Sequence, residues 1–198
     1  MAEQPLIPAR SELILGGQKS GKSRRAEMLA RDWLAQSAEH RAVLVATAQP
    51  WDEEMRQRIA RHQADRAERV PGMTTVEEPL ALAEKITELS RPDTLLVVDC
   101  LTLWLTNQLM PVPSGIELNK PLAPVGIDSI AILLGAIAKA PGPVVLVGNE
   151  IGLGVIPMGA EVRAFVDALG RLNQDVARVC QRVTLMAAGL PLTLKDIS

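Results

Sequence analysis

The apolar triplet Leu13-Ile14-Leu15 runs directly into Gly16-Gly17-Gln18-Lys19-Ser20-Gly21-Lys22-Ser23. The octet fits G-x-x-x-x-G-K-[ST], and it stands where that pattern needs to stand, after a short buried strand and before a helical pattern. Few folds accommodate such a segment. A strand must end in a tight turn whose backbone N–H groups converge, and the turn must open a helix, so that amides and helix terminus together form a nest for a polyphosphate. In that setting Lys22 meets the β- and γ-phosphates, and the Ser23 hydroxyl reaches a Mg²⁺ ion. The ligand class implied is a nucleoside triphosphate.

The rest of the chain repeats the same alternation. Apolar runs at 12–15, 42–46, 94–98, 143–147 and 182–186 predict strands, and helical patterns are expected over about 22–35, 52–61, 79–89, 129–138 and 160–179. Leu95-Leu96-Val97-Val98 and Val144-Val145-Leu146-Val147 are apolar throughout, as strands buried on both faces are. The pattern predicts an α/β fold, a mainly parallel sheet with helices on both faces, and a final antiparallel strand at 190–194. We expect a short disordered lead-in over residues 1–11 and one domain over 12–198. Residues 66–75 and 111–126 break the rhythm. The second segment carries Pro111, Pro113, Pro121 and Pro124 and reads as a long loop, either a lid or an indifferent insertion.

Composition excludes several function classes. A formal net charge of -2 argues against coating nucleic acid by phosphate neutralisation. Cys100 and Cys180 are the only cysteines, too few for a disulfide scaffold and without metal-ligand spacing, which suits a reducing, cytoplasmic setting. No apolar run approaches the ~18 residues of a membrane span, and the first ten residues lack the charged and apolar regions of a signal peptide.

Three further positions carry chemistry. Asp99 ends an apolar strand where ligands sit in an open α/β sheet, and it is a candidate Mg²⁺ ligand beside the phosphates or else a simple cap. His62 falls on the helical stripe of Met55 and Ile59, which turns it inward, with Arg58 and Arg66 one turn before and after it. Such an imidazole can pack, meet phosphate oxygens, or in its neutral form attack phosphorus. The flanking guanidinium groups of Arg58 and Arg66 suit that position to phosphate oxygens. Glu150, within Gly148-Asn149-Glu150-Ile151-Gly152, ends another strand and suits either a substrate contact or a structural turn. Cys100 reads as a small buried residue, and Arg163 and Arg171 as solvated.

Taken in order, the segments at 16–23, Ala46-Thr47-Ala48-Gln49, Asp52-Glu53-Glu54-Met55 ahead of His62, Asp99-Cys100-Leu101-Thr102 with Trp104 and Asn107, 148–154 with Pro157, Gly170-Arg171-Leu172-Asn173-Gln174, and Gly189-Leu190-Pro191-Leu192 resemble the bifunctional adenosylcobinamide kinase / adenosylcobinamide-phosphate guanylyltransferase family of cobalamin biosynthesis. The resemblance spans about residues 12–195. It implies a RecA-like P-loop domain, a trimeric homo-oligomer, ATP and GTP as substrates with Mg²⁺, and two reactions: phosphorylation of adenosylcobinamide, then transfer of GMP from GTP through a guanylyl-histidine to give adenosylcobinamide-GDP and pyrophosphate. It places the nucleophile at His62. Nucleotide contacts are implied at Gly16, Gly17, Gln18, Lys19, Ser20, Gly21, Lys22, Ser23, Ala46, Thr47, Ala48, Gln63, Ala64, Asp65, Arg66, Glu77 and Asp99. Lys19 stands where many members carry Arg, and Gln63 where a basic residue is common.

Overall fold

The structure is a computed structural model that describes residues 6–50, 52–110, 127–155 and 158–197. The proline-rich segment 111–126 and Pro157 lie outside the described residues, as does the side chain of Arg58. In chain order the elements are β1 (Ser11–Gly16), α1 (Lys22–Leu34), β2 (Arg41–Ala46), α2 (Glu53–Arg69), β3 (Met73–Glu77), α3 (Leu82–Leu89), β4 (Thr94–Asp99), α4 (Leu101–Leu109), α5 (Ile127–Lys139), β5 (Val144–Val147), α6 (Ala160–Val179), β6 (Arg182–Ala187) and β7 (Leu190–Asp196).

The seven strands form one sheet in the order β3-β2-β4-β5-β1-β6-β7, parallel except for the β6–β7 hairpin. Side chains along a strand alternate between faces, and the two cores follow that alternation. Leu13, Leu15, Leu96, Val98, Val144 and Leu146 pack on one side with residues of α3, α4, α5 and α6. Ile14, Leu95, Val97, Val145 and Val147 pack on the other with Ala26, Leu29 and Ala30 of α1 and Val70 at the end of α2. Each fully buried Leu or Val contributes about 1.5–3 kcal/mol by leaving water. The core is aliphatic, with Trp104 as the one fully buried aromatic among the described residues.

The expected α/β class and the antiparallel last strand are both present. Three local expectations need correction. α2 runs to Arg69 rather than stopping near 61, because Gln, Ala, Arg and Glu are all good helix formers. Residues 73–75, expected within the irregular stretch 66–75, open the edge strand β3, whose Thr74 and Thr75 face solvent. The nine-residue α4 directly after β4 is a helix the sequence did not announce, since its apolar residues surround it. The lead-in also ends earlier than residue 11: the Leu6 amide donates to Asp32 Oδ2 at 2.7 Å, Arg182 donates to the Ile7 carbonyl at 3.0 Å, and Ser11 already belongs to β1.

A buried ion cluster joins the elements around β1. Glu12 is 0 % exposed; Arg25 of α1 pairs with it at 3.1 Å, Arg182 of β6 stands at 3.6 Å, and the Thr184 hydroxyl donates to it at 2.8 Å. A buried carboxylate is tolerated only with such company.

Candidate functional site

All six parallel strands end on the same edge of the sheet. Register aligns Glu77 with Ala46, Ala46 with Asp99, and Asp99 with Val147, one row across β3, β2, β4 and β5. Strands lie about 4.8 Å apart, so Asp99 stands about 10 Å and Glu77 about 19 Å from β1 along that row. β5 separates the strand of Asp99 from the strand that feeds the phosphate loop.

The loop itself is shaped by close approach. Gly16 has φ 152°, and a Cβ there would stand 2.5 Å from the Met186 carbonyl oxygen and 2.6 Å from Ser20 Oγ. Gly21, at φ 103°, caps α1, whose first residue is Lys22. Lys19 sits at the exposed crest with φ 55°, an uncommon conformation for a side-chain-bearing residue and one that recurs at ligand clamps. Gly17 and Gln18 are exposed beside it. Lys22 is 8 % exposed and its Nζ donates to the Gly17 carbonyl at 2.6 Å, inside the loop. Among the described residues the buried Ser20 Oγ has no hydrogen-bond partner, as a polar atom in a ligand site can.

Ser23, half-buried in the first turn of α1, and Asp99, half-buried at the end of β4, offer a hydroxyl and a carboxylate. The Asp99 side chain accepts no hydrogen bond from the described residues. Two hard oxygen donors suit Mg²⁺, which takes one or two carboxylates and fills its remaining positions with phosphate oxygens and water. The residues therefore fit the ion.

Behind this edge lies a hydrogen-bonded frame. Thr47 is 0 % exposed. Its hydroxyl donates to the Cys100 carbonyl at 2.7 Å and accepts from the Cys100 amide at 2.8 Å, its own amide donates to the Asp99 carbonyl at 3.1 Å, and Asn107 donates to the Thr47 carbonyl at 2.8 Å. The Thr47 side chain is thus committed to joining β2 to β4, while Ala46 and Ala48 on either side stay half-exposed. Burial, reinforced by the Asp99 charge, pushes the Cys100 thiol up to about 11, so it remains protonated near neutral pH and takes no nucleophilic part.

His62 departs from expectation. Its stripe on α2 is half-buried at Met55 and Ile59 and buried at Arg66 and Val70, yet His62 itself is exposed. The imidazole shares the inward face but meets open space there, because the helix is held to the body at its C-terminal half. That half is fastened through charge. Arg66, 8 % exposed, has its Nε 3.8 Å from Glu27 Oε1 of α1 and donates to the Thr75 hydroxyl at 3.3 Å; Arg69 pairs with Glu27 at 2.5 Å and with Asp65 at 3.1 Å. Arg66, one turn beyond His62, thus has its guanidinium directed to a buried carboxylate of α1 and to β3. The side chains of Gln63, Ala64, Asp65 and Arg66 fan through about 300° of the helix.

Sequence reasoning names Thr102 and Asn173 only within family segments and gives neither a role, yet they hold the β5 end. Asn173 of α6 occupies the core stripe of Leu169, Leu172 and Val176 and is 4 % exposed. An amide on an apolar stripe was its visible signal. Its Nδ2 donates to the Asn149 carbonyl at 3.0 Å and reaches Glu150 Oε2 at 3.5 Å, while Thr102 Oγ1 accepts the Asn149 amide at 2.9 Å.

Among the described residues no helix is long and apolar enough to cross a membrane. The family model described as cobinamide kinase / cobinamide phosphate guanyltransferase matches residues 12–194. The bifunctional adenosylcobalamin biosynthesis protein CobP of Pseudomonas aeruginosa is 45% identical over 186 residues, covering 93% of this chain and 96% of the relative. CobU of Escherichia coli, carrying the same bifunctional description, is 32% identical over 188 residues, covering 92% and 98%. Among solved structures, the flagellar accessory protein FlaH of Methanocaldococcus jannaschii superposes with a TM-score of 0.51 at 15% identity, over 96% of this chain and 80% of that one, a likeness of fold.

Proposed function

This chain belongs to the cobinamide kinase / cobinamide phosphate guanyltransferase family, and we propose that it performs the two reactions with the loop at 16–23 as phosphate anchor and His62 as covalent carrier of GMP. It is an enzyme of adenosylcobalamin biosynthesis, as its relatives are.

In the first reaction the hydroxyl oxygen of adenosylcobinamide attacks the γ-phosphorus of ATP or GTP. The new O–P bond forms as the bond to the β-phosphate oxygen breaks, and the nucleoside diphosphate departs with that electron pair. Loop amides and Lys22 hold the phosphates in line, which accounts for most of the rate in such transfers. Ser23 and Asp99 would hold Mg²⁺, which would supply charge neutralisation to the triphosphate.

In the second reaction a ring nitrogen of His62 attacks the α-phosphorus of GTP and pyrophosphate leaves. A phosphate oxygen of adenosylcobinamide phosphate then displaces the histidine, giving adenosylcobinamide-GDP. The observation that carries this reading is the exposed imidazole on an otherwise inward helical stripe. An accessible ring nitrogen facing open space can meet a substrate, whereas a packed one cannot. Ala46, Ala48, Glu77 and Asp99 follow the phosphate loop along the row of strand ends and supply backbone and carboxylate contacts for the rest of the nucleotide.

The test is incubation with α-³²P-labelled GTP. Wild-type protein is expected to acquire an acid-labile, base-stable label, and His62→Ala to lose it while keeping adenosylcobinamide phosphorylation. A wild-type protein that stays unlabelled would sink the covalent route. We extend the proposal to a homotrimer working in the cytoplasm without nucleic acid. Exposed Leu190 and Leu192 on the edge strand β7 support self-association, and light scattering measures it.

A further inference from the structure

We infer that Glu150 receives the proton of the acceptor hydroxyl in the phosphoryl-transfer step, and that Asn173 is the positioning residue that holds it. The inference rests on the kinase half of the function proposed above.

β5 lies between β1 and β4, so its C-terminal end emerges between the phosphate loop and Asp99. Glu150 follows directly in that gap. Its backbone is tied to the loop, the Glu150 amide donating to the Gly16 carbonyl at 3.1 Å. The two preceding amides are fixed as well, Gly148 to the Ile14 carbonyl at 3.0 Å and Asn149 to Thr102 Oγ1 at 2.9 Å. Three successive amides anchored to β1 and α4 leave this turn little freedom. At Gly148 the packing is equally tight: a Cβ would meet Leu15 Cδ2 at 3.1 Å and Asn173 Oδ1 at 3.3 Å.

The Glu150 side chain is half-buried and oriented at both oxygens. Oε1 accepts the Gly152 amide at 3.1 Å, and Oε2 lies 3.5 Å from Asn173 Nδ2. Asn173 is buried and its main bond is to the Asn149 carbonyl, so α6 sets both the turn and the carboxylate. A carboxylate fixed beside a polyphosphate loop repels the nucleotide it adjoins. That cost is offset when the carboxylate faces a group that gives up a proton. An acceptor hydroxyl is such a group: as its oxygen bonds to the γ-phosphorus and the β–γ bridging bond breaks, the proton passes to Glu150. This is the part that a catalytic-loop aspartate plays in other phosphoryl transferases.

The decisive variant is Glu150→Gln in the full-length protein. Its side-chain oxygen still accepts from Gly152, its size is unchanged and only the 3.5 Å contact to Asn173 Nδ2 is given up, so a structural role resting on the Gly152 bond survives the substitution. We expect kcat for phosphorylation of adenosylcobinamide with Mg²⁺·ATP to fall at least about 100-fold while KM for ATP stays within about threefold and the α-³²P label still forms. A kcat within about threefold of wild type overturns the inference. So does a parallel loss of kcat, nucleotide affinity and label, which would mark Glu150 as a support of the loop. Asn173→Ala is expected to lower kcat about tenfold, and adding it to Glu150→Gln should cost nothing more if it acts through that carboxylate. A further drop in the double variant removes Asn173 from its positioning role. If wild-type protein forms the label yet never phosphorylates adenosylcobinamide, the kinase reading fails, and the assignment of Glu150 with it.

Discussion

The Gly189 amide donates to the Ser20 carbonyl at 3.0 Å, so the turn of the β6–β7 hairpin braces the phosphate loop from the side. The two lie 169 positions apart by their numbers (189 − 20), and the last third of the chain thereby shapes a motif near its start. A Cβ on Gly21 would stand 3.3 Å from Gly189 Cα, and Gly21 has φ 103°. Gly21→Ala is therefore expected to destabilise the protein by about 1–3 kcal/mol and to weaken nucleotide binding; urea unfolding and nucleotide titration measure both.

The same turn holds Ala188 at φ 51° and Gly189 at φ 80°, a two-residue hairpin loop between paired Ala187 and Leu190. Loops of this kind favour Asn followed by Gly. Ala188→Asn should raise stability by about 0.5–1 kcal/mol, seen as a higher urea midpoint with unchanged slope. A lower midpoint would contradict the account of strain at this position.

His62 is exposed, so its removal creates no cavity. His62→Ala is expected to stay within about 0.5 kcal/mol of wild-type stability while guanylylation disappears. A large loss of stability would instead identify a packing residue.

Glu27 is 4 % exposed between Arg66 and Arg69. Arg66→Ala leaves it with one partner that is itself half in solvent, and we expect a loss of about 1–3 kcal/mol. In a double-mutant cycle with Glu27→Ala the two changes should fall short of additivity by about 0.5 kcal/mol or more. Full additivity would dissolve the pair.

Burial raises the Cys100 thiol from 9.0 to about 11 and the Cys180 thiol to about 12. The folded protein thus keeps protons that the unfolded chain releases above pH 9. The stability these thiols contribute is complete below pH 9 and declines as pH rises toward 11 for Cys100 and 12 for Cys180, by up to about 1.4 kcal/mol per pH unit for each. Cys100→Ala should flatten that decline in thermal melts between pH 8 and 11, and both thiols should resist alkylation at pH 8 until the protein is unfolded.

Much of the architecture was legible along the chain. Continuous apolar runs at 95–98 and 144–147 announced strands buried on both faces, and β4 and β5 are the buried heart of the sheet. β3 escaped because an edge strand with Thr74 and Thr75 in solvent need bury little, and five mixed residues carry no clear period. α4 escaped for a different reason: Leu103 lies opposite the stripe of Leu101, Trp104, Leu105 and Leu109, and Gln108 interrupts that stripe, so the helical period is blurred. At the site, Gly16, Gly21 and Lys22 were legible from spacing, whereas Asn173 became meaningful only where α6 crosses the end of β5.

The sequence by itself determined the phosphate loop, the alternation of strands and helices, and the family, because glycine positions, a lysine at fixed offset and hydrophobic period act over neighbouring residues. The tertiary structure alone decided which charges were spoken for. It assigned Arg66 to Glu27, buried Glu12 among Arg25, Arg182 and Thr184, and left His62 facing open space. Ion pairs and accessible rings depend on which elements fold against each other. Thr184 and Glu12, 172 residues apart, meet only once the sheet has closed over them.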